Sequence, residues 1–122
     1  MIEKVVLPWP PKVLSPNARV HWSVKSKSAK AYRMACFTLC REAKLAAPEH
    51  EGRLHLWLDF YPPDRRPRDD DNMIASFKSG RDGIADALDI DDKRFICHPM
   101  VLEQLGGMVK ISVTAGPERA AS

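Results

Sequence analysis

Long apolar runs are missing from this chain of 122 residues. No stretch approaches the roughly 20 consecutive apolar residues that a membrane-spanning helix needs, so an integral membrane protein is not expected. The first residues lack the charged and then apolar layout of a signal peptide. The three cysteines, an odd number, do not form a disulfide framework. Together these features predict a reduced, cytoplasmic protein.

The cysteines also lack the spacing of a zinc site. Cys36 and Cys40 are four residues apart in a segment with helical periodicity, where they are expected to belong to its apolar stripe. His98 follows Cys97, but no CxxC pair accompanies them. Metal binding through thiolates is therefore not expected.

The composition is that of a globular domain, with 44% hydrophobic residues. The length supports one domain, predicted to span residues 1–116, followed by a disordered tail at 117–122. The formal net charge of +3 is modest, but the basic residues are clustered on both sides of an acidic run. Basic surface around a focused acidic site suits an enzyme that acts on a polyanion. One cluster contains Lys25, Lys27, Lys30, Arg33, Arg41 and Lys44, and the other contains Arg65, Arg66 and Arg68.

Hydrophobic periodicity predicts elements in the order β-α-β-α-β-β. Residues 95–104 and 108–114 are expected to pair as a hairpin, because Gly106-Gly107 suits a two-residue turn with positive φ. The predicted fold is one compact α/β domain of the α+β kind, with two main helices on a mixed sheet. The strands are predicted at 2–7, 53–61, 95–104 and 108–114, and the helices at about 26–46, capped by Ser26 or Ser28, and 72–88.

The segment 64–72 contains the strongest functional signal, because three aspartates follow three arginines. In an extended chain, Asp69 and Asp71 point to one side and Asp70 points to the other. Two convergent carboxylates are a common beginning of a Mg²⁺ site, since Mg²⁺ prefers oxygen ligands. A helix starting at about Asn72 would favour a phosphate near its N-terminus. The alternative is helix capping, which uses one or two of the aspartates.

Further acids and a lysine follow this segment. The pair Asp91-Asp92 contains a candidate third metal ligand, with ordinary turn chemistry as the alternative. Lys78 lies seven residues after Asp71, so the two are expected to share a helix face, where the lysine would stabilise charge on a phosphoryl transition state. An exposed lysine on a solvated face is the alternative. A solvated helix face is expected for Asp82, Asp86 and Asp89.

Four segments carry a resemblance to a known family: Leu7-Pro8-Trp9-Pro10-Pro11, Pro63-Asp64-Arg65-Arg66-x-Arg68-Asp69-x-Asp71-Asn72, Asp91-Asp92 and Gly106-Gly107. In this order and spacing, over about residues 2–114, the chain resembles the RusA family of Holliday-junction resolvases. The resemblance implies a homodimeric α/β endonuclease, often encoded by phages or prophages. Such enzymes bind four-way DNA junctions and make paired nicks with Mg²⁺ or Mn²⁺.

The resemblance also implies roles for single residues. The essential aspartates of the family fall on Asp69, Asp71 and Asp92, as the residues that hold the metal, and the family asparagine falls on Asn72. The family lysine corresponds to Ala75, which carries no charge. Either Lys78 or Lys93 then takes over its role, or the activity is weak.

Contacts with DNA are expected mainly at phosphates, which position a duplex without reading its bases. A two-fold dimer suits the task, since it presents two equivalent sites to two strands. A nuclease of flaps or forks, and a junction-binding protein with a decayed site, are the alternative functions. The tryptophans Trp9, Trp22 and Trp57 are candidates for the dimer interface or for stacking on open bases. The candidate DNA contacts are Arg65, Arg66, Arg68, Asn72, Lys27, Lys30 and Arg19.

Overall fold

A computed structural model describes residues 4–119. The predicted strand residues 2 and 3 and the predicted tail residues 120–122 lie outside this range. The predicted mixed α/β class is confirmed. The elements are β1 (Lys4–Pro8), a 3₁₀ turn (Lys12–Leu14), α1 (Trp22–Glu42), β2 (Leu54–Tyr61), α2 (Asp70–Ser76), α3 (Lys78–Leu88), a second 3₁₀ turn (Asp92–Arg94), β3 (Phe95–Val101) and β4 (Met108–Thr114).

Within residues 4–119, four strands form one mixed sheet in the order β1-β4-β2-β3. The predicted hairpin of β3 and β4 is wrong, because β2 lies between them and pairs with β3 in parallel, with Leu54 opposite Phe95. Parallel neighbours need a crossover connection, which α2 and α3 provide. Gly107 does have a positive φ of 69°. Its N–H donates to the carbonyl oxygen of Tyr61 at 2.7 Å, so this loop closes against the end of β2.

The core lies on one face of the sheet. Alternate residues of β2, from Leu54 to Phe60, are fully buried, as its period of two predicts. Cys36 and Cys40 of α1 are also fully buried, which confirms their place in an apolar stripe. Burial raises the pKa of each thiol to about 12. No helix in the described part of the chain is long and apolar enough to cross a membrane.

Helix α1 begins earlier than predicted. Its N-cap is His21, whose Nδ1 accepts a hydrogen bond from the N–H of Ser23 at 3.1 Å, so the prediction of a serine cap at Ser26 or Ser28 is wrong. The helix ends at Glu42 rather than near residue 46, and Lys44 has a positive φ of 59°. Because histidine is an uncommon N-cap residue, N-cap preferences did not predict that α1 begins after His21.

The predicted single helix over 72–88 is two helices joined at Phe77, whose backbone has φ −91° and ψ 1°. The Phe77 ring is buried between Tyr32 and Phe60, so tertiary packing holds the junction. In α3, Gly83 lies directly against α1. A Cβ at this position would lie 2.4 Å from the carbonyl oxygen of Arg33, so the close approach of α1 and α3 requires a glycine.

Candidate functional site

A cleft of about 490 Å³ brings together segments that are far apart in the sequence. One wall comes from Trp9 and the loop that follows β1, and the other comes from residues 63–68 and α2. Two segments of the resemblance therefore meet in one cleft. Its polar lining includes Lys12, Ser15, Asn17, Asp64, Arg66, Arg68 and Asn72.

Buried and half-buried contacts hold the Trp9 wall in place. The hydroxyl of Tyr32 in α1 donates to the carbonyl oxygen of Pro8 at 2.5 Å. The Trp9 ring packs edge-on against Phe60, with ring centroids 6.0 Å apart. On its other side the guanidinium of Arg68 lies over the same ring at 5.3 Å. The start of the cleft is thus fixed to both α1 and the sheet.

Arg68 also orders the loop before α2. It donates to a carboxylate oxygen of Asp64 at 2.9 Å and to the carbonyl oxygens of Asp64 and Arg66 at 3.0 Å each, so its side chain is only 17% exposed. Hydrogen bonds from the Arg66 N–H and then from the Arg68 side chain lower the pKa of Asp64. Arg66 remains largely exposed at the edge of the cleft. Of Arg66 and Arg68, Arg66 therefore has the more accessible side chain, 70% against 17% exposed.

The aspartate run forms the beginning of α2. Asp69 is the N-cap, and its carboxylate accepts hydrogen bonds from the N–H of Asn72 at 2.8 Å and from the Asn72 side chain at 3.0 Å. Asp70 and Asp71 occupy the first turn, so the prediction that the chain is extended as far as Asp71 is wrong. The reason is that a helix N-terminus favours carboxylates. The preference of helix N-termini for carboxylates therefore explains all three aspartates without a metal ion.

Asp92 lies elsewhere, on the second 3₁₀ turn. Its carboxylate accepts a hydrogen bond from Arg81 of α3 at 3.0 Å. Among residues 4–119, no three His, Cys, Asp or Glu side chains are arranged to hold a metal ion. One chain therefore does not bring the predicted triad of Asp69, Asp71 and Asp92 together.

The surroundings of Asp92 keep it ionised. Loss of hydration raises its pKa, but the charge of Arg81 and contacts with Asp91 and Asp82 outweigh this effect, so the pKa of Asp92 lies below its ordinary value. Asp91 caps the 3₁₀ turn by accepting a hydrogen bond from the N–H of Lys93 at 2.9 Å. Turn chemistry therefore accounts for Asp91, while Asp92 faces α3.

The other acids of α3 lie at its surface, and two of them are close to a basic residue of α1. Arg33 of α1 donates to both carboxylate oxygens of Asp86, at 2.7 and 2.9 Å, and lies 4.0 Å from Asp82. Asp89 ends the helix with a positive φ of 54°. Asp86 and Asp89 are exposed, as the prediction of a solvated face requires, whereas the Asp82 side chain is only 20% exposed.

Lys78 is the first residue of α3, and its ammonium lies 3.8 Å from Asp82. The break at Phe77 interrupts the helix on which the predicted shared face with Asp71 depended. Lys78 is well exposed and contributes to the low pKa of Asp92. It is therefore electrostatically coupled to the Asp92 end of α3.

A depression of about 370 Å³ contains Ala75, with Lys25 of α1 and Lys78 on its walls. It shares Ser76 with the Trp9 cleft, and it shares Lys78 and Asp82 with a third depression, of about 410 Å³, at Asp92. The three depressions therefore adjoin one another through common lining residues. We call them together the α2–α3 groove; its lining includes Trp9 and Arg66 in the first depression, Lys25, Ala75 and Lys78 in the second, and Asp92 in the third.

Lys25 was missed as a site residue. Its place opposite Ala75 depends on how α1 packs, and the sequence marks it only as one lysine of a basic cluster. The remaining predicted DNA contacts lie apart from the groove lining. Arg65 lines a depression with Leu102 and Glu103 on the other side of its loop. Exposed positions outside the groove lining are occupied by Arg19, Lys27, Lys30 and Lys93.

A second group of polar rings occupies the face of the sheet opposite the core. Nδ1 of His55 and Nε2 of His98 are 2.7 Å apart, and Trp57 stacks on His98 with centroids 4.0 Å apart. Burial and then the neighbouring His55 lower the pKa of His98. Sequence reasoning missed this pair because it requires the parallel register of β2 and β3.

Comparison with known proteins gives one relative and no family model. No family model matches the chain. An uncharacterized protein of Xylella fastidiosa (strain Temecula1) is 48% identical over 126 residues, which cover 99% of this chain and 82% of that protein. The similarity thus extends over nearly the whole chain.

Proposed function

We propose that this chain, which belongs to the same family as the uncharacterized Xylella fastidiosa protein, is a Mg²⁺-dependent endodeoxyribonuclease that resolves four-way (Holliday) DNA junctions by paired nicks. The observation that carries the proposal is the α2–α3 groove. Segments that resemble the RusA family meet along it, with basic side chains in its lining, Asp64 at one end and Asp92 at the other. Asp69 and Asp71 lie next to this lining in sequence, between Arg68 and Asn72.

The groove has the charge distribution that a DNA strand needs. Lys12 and Arg66 lie at one end, and Lys25 and Lys78 lie at the middle, where their ammonium groups are available to phosphates. Ion pairs with phosphate fix the position of the strand without reading its sequence.

The carboxylates of Asp69, Asp71 and Asp92 have the oxygen donors that Mg²⁺ prefers. Because one chain holds Asp92 apart from the other two, we propose that the site is completed in a homodimer, with Asp69 and Asp71 of one protomer beside Asp92 of the partner subunit. Mg²⁺ or Mn²⁺ bound there would supply a water of lowered pKa and neutralise charge on the phosphate. The two-fold axis then yields two such sites, one for each strand to be nicked.

The chain's own side chains orient these ligands. Asn72 holds the Asp69 carboxylate through two hydrogen bonds, and Arg81 holds that of Asp92 through one. Lys25 and Lys78 line the same depression as Ala75, the position that the resemblance assigns to a lysine. We assign them the task of stabilising negative charge on the phosphate during strand cleavage.

The test is cleavage of a labelled synthetic four-way junction in Mg²⁺ by the wild type and by Asp71→Asn, with Asp70→Asn as the matched control. Asp70 lies in the same helical turn and carries the same charge. Symmetric paired nicks by the wild type and Asp70→Asn, and none by Asp71→Asn, are expected. Nicks of equal rate in all three proteins would overturn the assignment of Asp71.

The substrate range separates this function from its nearest alternative. A flap or fork nuclease with the same side chains would cut those structures faster than four-way junctions, so both are compared with linear duplex. The proposed setting is the bacterial cytoplasm, with the gene carried by a phage or prophage.

A junction-binding protein without nuclease activity is the second candidate. It is favoured by Ala75 and by the separation of Asp92 from Asp71 within one chain. Tight junction binding in EDTA, with no nick in Mg²⁺ or Mn²⁺ from the wild type, would establish this candidate and refute the nuclease.

A further inference from the structure

The first turn of α1 exposes an apolar surface. Trp22, the first residue of the helix, is 74% exposed, and Val20 and Val24 beside it in sequence are exposed as well. We call these three residues the Trp22 patch. Three neighbouring exposed apolar side chains make this a candidate surface for contact with a partner.

The indole is held in a defined place. The His21 ring lies 5.6 Å from it at an angle of 34°. That imidazole is itself fixed, because its Nδ1 accepts the N–H of Ser23 and lies 2.7 Å from the Ser23 hydroxyl. Trp22 therefore projects from a capped helix end, which reduces the conformational entropy lost when a partner binds.

The charge around the patch identifies the kind of partner. Residues 4–41 contain no aspartate or glutamate and eight lysines and arginines. Arg19 and Lys25 are the basic residues nearest to Trp22 in sequence. A partner that combines dense negative charge with flat apolar surface fits this part of the chain, and a nucleic acid with unstacked bases has both.

The position of the patch relates it to the α2–α3 groove. Residues three and seven positions apart share a helix face, so Trp22 is on the same face of α1 as Lys25 and Ala29. Both of those residues line the groove opposite Ala75. The Trp22 patch therefore lies at the rim of the groove, beyond the end of its α1 wall.

We infer that Trp22 stacks on the unstacked face of a base at the branch point of the DNA that occupies the groove, while Lys25 and Arg19 contact the adjoining phosphates. The inference rests on the proposed function for its choice of DNA. In a continuous duplex the faces of the bases are covered by stacking, so an indole gains a partner only where the helix is interrupted. The patch thereby distinguishes branched from linear DNA without reading sequence.

An anionic membrane is the other partner that a basic surface with a tryptophan suits. The groove favours DNA, because it is a concave channel that follows the same helix face. A strand fits such a channel, whereas a bilayer surface does not enter it.

The test measures binding without cleavage. Fluorescence anisotropy in EDTA compares a four-way junction with a duplex of the same sequence, for the wild type, Trp22→Ala and Trp22→Phe. Loss of a stacked base predicts junction binding weakened by about tenfold or more in Trp22→Ala, with duplex binding unchanged. Trp22→Phe retains a ring and keeps most of the affinity. Met34→Ala removes another exposed apolar side chain of α1, 62% accessible, and is expected to change neither affinity.

A junction with 2-aminopurine at the branch point reports stacking directly. The wild type and Trp22→Phe should quench its fluorescence, and Trp22→Ala should not. Equal losses on junction and duplex, a dimer that dissociates in Trp22→Ala during sedimentation, or Trp22-dependent binding to phosphatidylglycerol vesicles with unchanged DNA binding would each overturn the inference.

The same measurements separate this inference from the proposed function. A wild type that binds junctions through Trp22 but never nicks them refutes the nuclease and leaves the stacking intact. A wild type that nicks junctions while Trp22→Ala binds them equally well refutes only the stacking.

Discussion

The guanidinium of Arg81 and the carboxylate of Asp92 lie 3.0 Å apart and join α3 to the turn before β3. The charge of Arg81 is the largest of the effects that lower the pKa of Asp92. We expect Arg81→Gln to raise this pKa, since the carboxylate loses its positive neighbour. A titration of the Asp92 carboxyl ¹³C shift by NMR measures the change. Arg65→Gln is the control, because Arg65 has no contact with Asp92 in the described part of the chain. It should leave the pKa of Asp92 unchanged.

A site shared between subunits predicts complementation. Asp71→Asn and Asp92→Asn should each be inactive alone, while a refolded mixture should nick junctions. In a mixed dimer, one site receives both substitutions and the other receives neither. If instead each chain contained its own triad, every site of the mixed dimer would have one defect and the mixture would remain inactive. Nicking is measured on a labelled junction at fixed total protein.

The rate of strand nicking should depend on Lys25 of the α2–α3 groove. Lys25→Ala is expected to lower the single-turnover nicking rate by about a hundredfold, the usual effect of removing one group that stabilises a developing charge. Adding Ala75→Lys to that variant should restore much of the rate, because it returns an ammonium to the same depression. Lys110→Ala, at an exposed position of β4 outside the groove lining, is the control. An unchanged rate in Lys25→Ala would remove this residue from the mechanism.

Packing of α1 on α3 should depend on Gly83. A methyl group there would meet the carbonyl oxygen of Arg33 at 2.4 Å and Cys36 Cβ at 3.0 Å. We expect Gly83→Ala to lower the free energy of unfolding by about 1–3 kcal/mol, as overpacking does in other cores. Urea denaturation gives the value. Gly116→Ala is the matched control, since nothing lies within 4 Å of its added Cβ.

The ion pair of Arg33 and Asp86 should make stability depend on acid pH. Hydrogen bonding to Arg33 lowers the pKa of Asp86, so the folded state binds the proton less tightly than the unfolded state. The stabilisation is therefore present above the unfolded pKa of about 3.9 and disappears as the pH falls through the lower folded value.

Asp86→Asn should accordingly be less stable than the wild type at pH 7 by up to about 1 kcal/mol, because the pair is partly exposed. The difference should shrink in acid. Urea denaturation at pH 7, and at the lowest pH at which both proteins remain folded, gives the free energy of unfolding of each. Glu49→Gln, in an exposed loop, is the control, and a difference that grows in acid would contradict the assignment.

Local patterns predicted the parts of the fold that neighbouring residues determine. The alternation of β2 and of β4 identified both strands within one residue, because side-chain direction in a strand depends only on position. The pairing of β3 could not be predicted in this way. The two glycines at 106 and 107 suited a hairpin, yet the choice of partner depended on the crossover through α2 and α3.

The candidate site shows the same division. The positions of Asp69 and Asp71 at a helix N-terminus follow from local preferences, and these preferences predict capping as the alternative to a metal site. That Asp92 binds Arg81, and that Lys25 lies opposite Ala75, follow from tertiary packing between distant segments. Sequence reasoning had no local signal for either relationship.

The contact at Gly83 has a consequence for how the proposed substrate is accommodated. Backbone of α1 touches backbone of α3 there, and the Arg33–Asp86 pair ties the same two helices one turn further on. These two contacts fix the spacing of α1 and α3, and with it the distance between the walls of the α2–α3 groove. A branched DNA that enters a groove of fixed width would have to bend to fit it. DNA sequences that bend at low energetic cost would then be the preferred substrates, even without side-chain contacts to their bases.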